Sequence, residues 1–242
     1  MNDNNTTFEV DMNMLLTMRR LLYSFLSRGF EKEVDEKYFN DILSFSPVLK
    51  DIAKSTDDEI FKKGVEQLEI FLKDVPDNLN KKELIEELAC NYTTLFLNVG
   101  AGNTVEHVYP NESVYLSADK LLYQEETEKV LIFYGENGFA LNEDFKEPCD
   151  HIAAELSFLS SLSDKSVKAL QDNKNKDVVK YLYIQKKFMM QHLLKWGHLF
   201  CTDLRNAAKT GFYSAIANIT MGYLRLDFKS IDDLVAMINE RK

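Results

Sequence analysis

Asp150, His151 and Glu155 form the densest group of chemically capable side chains in this sequence. They stand in Glu147-Pro148-Cys149-Asp150-His151-Ile152-Ala153-Ala154-Glu155, which continues into Leu156-Ser157-Phe158-Leu159. Proline suits the first turn of a helix, where its missing N–H costs nothing. The stretch therefore predicts a helix opening at Pro148, with Asp150 in its first turn near the positive end of the helix dipole. His151 and Glu155 are four residues apart and share a face, while Ile152, Leu156 and Leu159 form an apolar seam beside them. Three uses fit this pattern. An exposed helix start could bind a partner through hydrogen bonds. A histidine–carboxylate pair could perform acid/base chemistry in a metal-assisted hydrolase. The same residues could also cap and brace the helix and do nothing more. Two same-face ligands are too few for a metal centre, and no H-E-x-x-H is present, so no metal is assigned.

The second candidate is a loop from Asn98 to Asn111, holding Gly100, Gly102, His107 and Pro110. Long ordered loops in compact domains are often functional. Tyr109 and Pro110 offer rigid apolar surface of the kind that holds a peptide, although a plain connector would read the same. The loop lacks lysine, arginine and the G-x-x-x-x-G-K-[ST] pattern, which argues against phosphate binding. Met12, Met14, Met18, Met189 and Met190 suit either a soft, adaptable surface or core filling. His192 and Trp196, at i and i+4, suit a groove wall or buried packing.

The elements that must position these residues are helical. Apolar residues recur at helical spacing in Phe8–Arg28, stopped by Gly29, and in Asp35–Phe45, stopped before Pro47. Further helices are expected from Asp57 to before Pro76, from Asn80 to Phe96, and from Ser113 to Tyr134. The Pro148 helix runs to Leu170, and a polar hinge follows at 172–176. Beyond it lie a long helix from Asp177 to Ala208 with a break near Gly197, another over Phe212–Phe228, and a last one over Asp232–Asn239. No period-2 alternation of any length appears. The reading is an all-α, single-domain bundle of about nine or ten helices.

Composition narrows the function. The 242 residues include 45% hydrophobic residues, nine glycines and four prolines, which favours a helical core over a turn-rich β fold. A net charge of −10 argues against nucleic acid and fits either solubility or attraction of basic peptides. Three widely spaced cysteines without C-x-x-C point to a reducing compartment. The polar N-terminus is not a secretory signal, and no apolar stretch is long enough to span a bilayer. Neither a nucleophile elbow nor a dinucleotide fingerprint is present, which favours a binding protein over an enzyme.

The central stretch resembles the signature E-P-x-D-H-x-x-x-E-L-x-F-L of the TorD/DmsD family of cytoplasmic molybdoenzyme chaperones. Tyr92-Thr93-Thr94-Leu95-Phe96 is similar to that family's Y-x-x-L-F, and Pro110-Asn111-Glu112-Ser113-Val114-Tyr115 to its P-x-E-S-V-Y. Phe188 to Trp196 resembles its F-x-x-x-H-L-x-x-W, and Phe212-Tyr213 to Ala217 its F-Y-x-x-L-A. The match runs in order from Cys90 to Asp227. It implies a TorD-like helical fold and a non-enzymatic chaperone. Such a chaperone binds the twin-arginine leader or the apo form of a molybdopterin-dependent oxidoreductase, assists cofactor insertion and prevents premature export. On this resemblance, client contact is expected of Phe96, Tyr109, Pro110, Glu112, Ser113, Tyr115, Glu147, Pro148, Asp150, His151 and Glu155. No cofactor is assigned, although guanine-nucleotide or molybdopterin-cofactor contact comes with the family as a secondary option. Transient contact with export machinery and a monomer or segment-exchanged dimer are also implied, the exchange placed at the 172–176 hinge. A permanent structural subunit of a redox complex is the alternative binding role. The family often has Trp after the loop proline, where this chain has Asn111.

Overall fold

The computed structural model describes residues 2–73, 81–97, 107–208 and 211–240. Ten helices run along them: α1 (Asn2–Glu31), α2 (Glu36–Ser55), α3 (Glu59–Lys73), α4 (Lys81–Phe96), α5 (Glu112–Leu116), α6 (Glu125–Glu136), α7 (Ile152–Gln171), α8 (Asn175–Gln191), α9 (Leu193–Ala207) and α10 (Gly211–Asn239). The fold is all-α, as the periodicity predicts. Among the described residues the only β-type pairing is an isolated antiparallel bridge between Asn111 and His151. No helix there is long and apolar enough to cross a membrane.

Boundaries differ from the sequence reading where packing overrides local signals. Gly29 does not stop α1; a β-carbon there would come within 2.6 Å of the Tyr38 hydroxyl oxygen, so the glycine makes room for a neighbour. α2 carries Pro47 in its interior. The proline removes one helical hydrogen bond, but Leu49 is fully buried beyond it and Ile52 packs on the core, which holds the helix together. α3 starts two residues after the expected Asp57 and is capped by Asp58, its Oδ1 accepting from the N–H groups of Ile60 at 3.1 Å and Phe61 at 2.9 Å. The expected 113–134 helix is split into α5 and α6 by bends in which Lys120 and Tyr123 take positive φ, 52° and 60°. The long helix after the hinge breaks at His192 (φ −126°, ψ −93°) rather than at Gly197. The last two expected helices are one, α10. The polar hinge is a short turn at 172–174 with Asn173 at φ 57°; Asn175 and Lys176 already belong to α8.

α7 is the centre of the bundle. It is apolar on most of its circumference, as a core helix must be, and it packs on α1 and α8. α10 packs along α3, α9 and α8. At the α3–α10 crossing two glycines meet the opposite backbone: a β-carbon on Gly64 would lie 2.6 Å from the Ile219 nitrogen, and one on Gly222 2.6 Å from the Phe61 nitrogen. Only residues without side chains allow that approach.

One polar group threads this core. Arg19 on α1 donates from Nε to Asp227 Oδ1 at 2.6 Å and from Nη2 to Asp227 Oδ2 at 2.8 Å, the two-point pairing that suits a guanidinium. Nη2 also reaches Gln185 at 2.9 Å, Tyr23 donates to Asp227 at 2.5 Å, and Ser163 donates to Gln185 at 3.1 Å. The network ties α1, α7, α8 and α10 together.

Candidate functional site

The residues singled out by type and spacing do converge, but they form a buried fastening and not an open edge. Val108 to Ser113 crosses the start of α7. Val108 N–H donates to the Leu95 carbonyl at 3.0 Å, which anchors the segment on the end of α4. The Ile152 N–H then donates to the Pro110 carbonyl at 2.8 Å, and the Glu112 N–H to the Asp150 carbonyl at 3.0 Å. These two bonds bind 110–112 to 150–152 as a miniature antiparallel pair.

α7 begins at Ile152, four residues later than Pro148 predicts. Pro148 instead leads a turn in which the His151 N–H donates to its carbonyl at 3.0 Å. The capping residue of α7 is His151, whose Nδ1 accepts from the Ala153 N–H at 3.1 Å. Asp150 serves α5 rather than its own helix: its Oδ2 accepts the Ser113 N–H at 2.9 Å. The expected exposure is corrected as well. Asp150 is 0% exposed, His151 2%, Glu155 0%, Glu112 2% and Ser113 0%. The cause is the 108–113 segment, which lies across the helix start that local sequence leaves open.

Three carboxyl groups thus share one dry region. Glu112 accepts from His192 Nδ1, at 2.9 Å through Oε2. The His192 ring stacks on Phe188 at 4.8 Å between centroids, and Phe133 meets it edge-on. Glu155 accepts from the Trp196 indole N–H at 3.3 Å. Burial, and then the neighbouring charges of Glu112 and Asp150, push the Glu155 carboxyl well above its ordinary range. The folded chain therefore keeps the Glu155 proton to a higher pH than the unfolded chain does. Asn111 Nδ2, Ser113 Oγ, Asp150 Oδ1 and Glu155 Oε1 are buried without a hydrogen-bond partner of their own.

This arrangement is poor for acid/base chemistry. Burial pushes the His151 imidazole down to about 3, so it stays neutral across the physiological range. Its Nδ1 is committed to Ala153, and Glu155 accepts from Trp196 instead of pairing with His151. The four-residue spacing places the two residues on one helix without making them a working pair.

The other candidates divide between core and rim. Phe96 is 6% exposed and packs on Tyr92 and Tyr213, so it cannot touch a partner at the surface. Pro110 and Pro148 are buried, whereas Glu147 is exposed. Tyr109 is exposed and meets the His107 ring edge-on at 4.1 Å. Tyr115 is half-buried, stacks on Trp196 at 5.7 Å and donates to Asp203 at 3.1 Å. Tyr109, Tyr115, Lys120 and Asp203 line a small surface cleft of about 260 Å³. The Gly100 and Gly102 part of the loop lies outside the described residues. His192 and Trp196 are buried, and the sequence reading missed their role as the partners of Glu112 and Glu155. Their i, i+4 spacing marks a common face but not what that face meets. Of the methionines, Met12 and Met189 are core while Met14 and Met190 are exposed.

Comparison with known proteins agrees with this architecture. The model of the family described as nitrate reductase delta subunit matches residues 56–202. The chain is similar to the chaperone protein TorD of Vibrio atlanticus (strain LGP32), 24% identical over 86% of this chain and 92% of that protein. It is also similar to the chaperone proteins TorD of Vibrio cholerae (strain ATCC 39315 / El Tor Inaba N16961), 27% identical over 93% and 96%, and of Shewanella pealeana (strain ATCC 700345 / ANG-SQ1), 27% identical over 91% and 93%. These relatives are named for a chaperone's role, which is not a catalytic one. Matched over more than half its length, the chain belongs to the nitrate reductase delta subunit family, the family of the TorD chaperones.

Proposed function

We propose that this protein is a cytoplasmic chaperone for a molybdopterin-dependent oxidoreductase. It binds the client's twin-arginine leader, its apo body or both, holds it until the cofactor is inserted, and so delays export. The observation that carries this reading is family membership together with the 108–116 and 147–155 segments, which are fastened to each other in one structure. The accessible members of that region, Tyr109, Tyr115 and Glu147, are proposed to meet the client. Glu112, Ser113, Pro110, Pro148, Asp150, His151 and Glu155 hold the rim in shape, and Phe96 supports it from the core. The acidic surface favours a leader's arginines, and guanidinium groups pair well with carboxylates. The protein acts as a monomer or as a dimer exchanging segments at the 172–174 turn, as one domain, with transient contact to export machinery.

The test is client activity in cells that lack this protein and are complemented with it. Restored activity of a molybdoenzyme with a twin-arginine leader supports the reading, and no restoration of any such client refutes it. The family's description as a delta subunit favours a second reading: a partner that never leaves its enzyme. Size-exclusion of the mature client separates the two, because a permanent subunit co-elutes with it in fixed ratio.

A further inference from the structure

A large apolar opening lies away from the fastened motif, between α1, α2 and α10. It measures about 760 Å³ and is lined by Met14, Leu15, Met18, Ile52, Leu234 and Met237, among others. Met14 is 63% exposed, and Leu15 and Met237 are each 46% exposed, so the wall is open to solvent. Unbranched methionines let such a wall adapt to different apolar shapes.

Its floor is polar in an unusual way. Arg19 and Tyr223 both line the groove and are each 6% exposed. Arg19 Nη1 and the Tyr223 hydroxyl have no hydrogen-bond partner. Both are donors, so the floor calls for acceptors. Asp227 already matches the Arg19 charge through two short contacts, and a second carboxylate there would meet Asp227 at close range. A neutral acceptor suits the floor better, and a peptide carbonyl is one. At the rim Asp233 forms no ion pair among the described residues, and Asp51 is exposed and pairs with Lys54 at 2.7 Å. Arg19, Asp227, Asp51 and Asp233 are the charged groups lining the groove, and together they leave it acidic.

We propose that this groove is a docking surface for an apolar peptide segment flanked by basic residues, its carbonyl groups taken by Arg19 and Tyr223. The assignment of that peptide to a client leader rests on the chaperone reading; the chemistry of the groove does not. It is a second contact surface, separate from the Tyr109–Tyr115 rim.

The probe is a labelled peptide of two arginines followed by a leucine–alanine run, with binding read by fluorescence anisotropy on the full chain. Leu15→Lys with Met237→Lys places positive charge on exposed positions and is expected to weaken binding at least about tenfold. Tyr223→Phe removes a hydroxyl that bonds to nothing in the free protein, so the fold keeps its bonds while affinity falls about fivefold. Leu131→Lys, on exposed α6, is the control and binds as the wild type does. Failure of the wild type to bind the probe, or equal binding by the groove variants, overturns the proposal. So does a concentration-dependent dimer in sedimentation that the Leu15→Lys and Met237→Lys pair abolishes, because the groove is then an interface between copies. Wild-type client maturation is measured alongside. Its absence counts against the chaperone reading whatever the probe does.

Discussion

Asp150 gives the sharpest test of the fastened site. The residue is fully buried, and its Oδ2 holds the Ser113 N–H at 2.9 Å. Truncation to Ala removes one hydrogen bond to a charged acceptor, worth about 1.5–3 kcal/mol, and leaves a buried N–H without a partner. Against this stands relief of the repulsion among Asp150, Glu112 and Glu155, and removal of the unpartnered Oδ1. The balance is a loss of about 2 kcal/mol, which for a chain of this size lowers Tm by roughly 4–8 °C. Asp150→Asn keeps an oxygen for Ser113 and sheds the charge, so it should stay within about 1 kcal/mol of the wild type. Melting followed by helical circular dichroism, with client maturation measured in parallel, decides the matter. The expected result is an early melt for Asp150→Ala with maturation lowered in step, and a near-normal melt for Asp150→Asn. An Asp150→Ala protein that melts with the wild type would refute the fastening argument. If it also loses maturation, the residue acts on the client directly.

Glu155→Gln should change how stability depends on pH. The folded chain holds a proton on Glu155 that the unfolded chain releases above its ordinary value of 4.5. The wild type therefore loses stability as pH rises from there toward the raised folded value, at about 1.4 kcal/mol per pH unit for this one group. The amide has no proton to lose, so the variant gains on the wild type across that window in urea titrations; a constant difference at all pH values would contradict the assignment. Asp227→Ala strands a buried guanidinium and should cost about 3–5 kcal/mol, more than Asp150→Ala, and a Tm close to wild type would mean that Arg19 escapes to solvent. Gly222→Ala forces a β-carbon to within 2.6 Å of the Phe61 nitrogen, so overpacking of at least about 1–3 kcal/mol is expected by thermal melting. The same substitution at exposed Gly135, which meets no neighbour within 4 Å, is the matched control and should leave Tm unchanged or raise it.

Helical character was legible wherever apolar residues recur at helical spacing, because a helix that buries one face must show that face in its sequence. Its limits were legible only where local chemistry sets them. Asp35 caps α2 as its type suggests, its carboxylate accepting the Tyr38 N–H at 2.8 Å. Pro47 and Gly29 read as stops and are not, since Leu49 and Tyr38 make the decision from elsewhere in the core. The site shows the same division. The motif residues named their own neighbourhood correctly, because the two segments lie side by side. Their exposure was misread, because what covers Asp150 and His151 is a segment about forty residues earlier, and no periodicity connects the two. The Arg19–Asp227 pair spans 208 residues and left no local mark beyond one arginine in an apolar stripe.

That span bears on how the protein comes into being. The guanidinium of Arg19 leaves the ribosome 208 residues ahead of the carboxylate that neutralises it. Until Asp227 emerges, α1 cannot bury that charge against α7 except at the cost of an unpaired cation in a dry place. The first helix must therefore wait, hydrated and loosely held, for the last one. Completion of the bundle waits until α10 has been made, and a chain terminated before Asp227 leaves Arg19 without its carboxylate. A protein whose relatives are chaperones thus stays incompletely folded itself until Asp227 has been made.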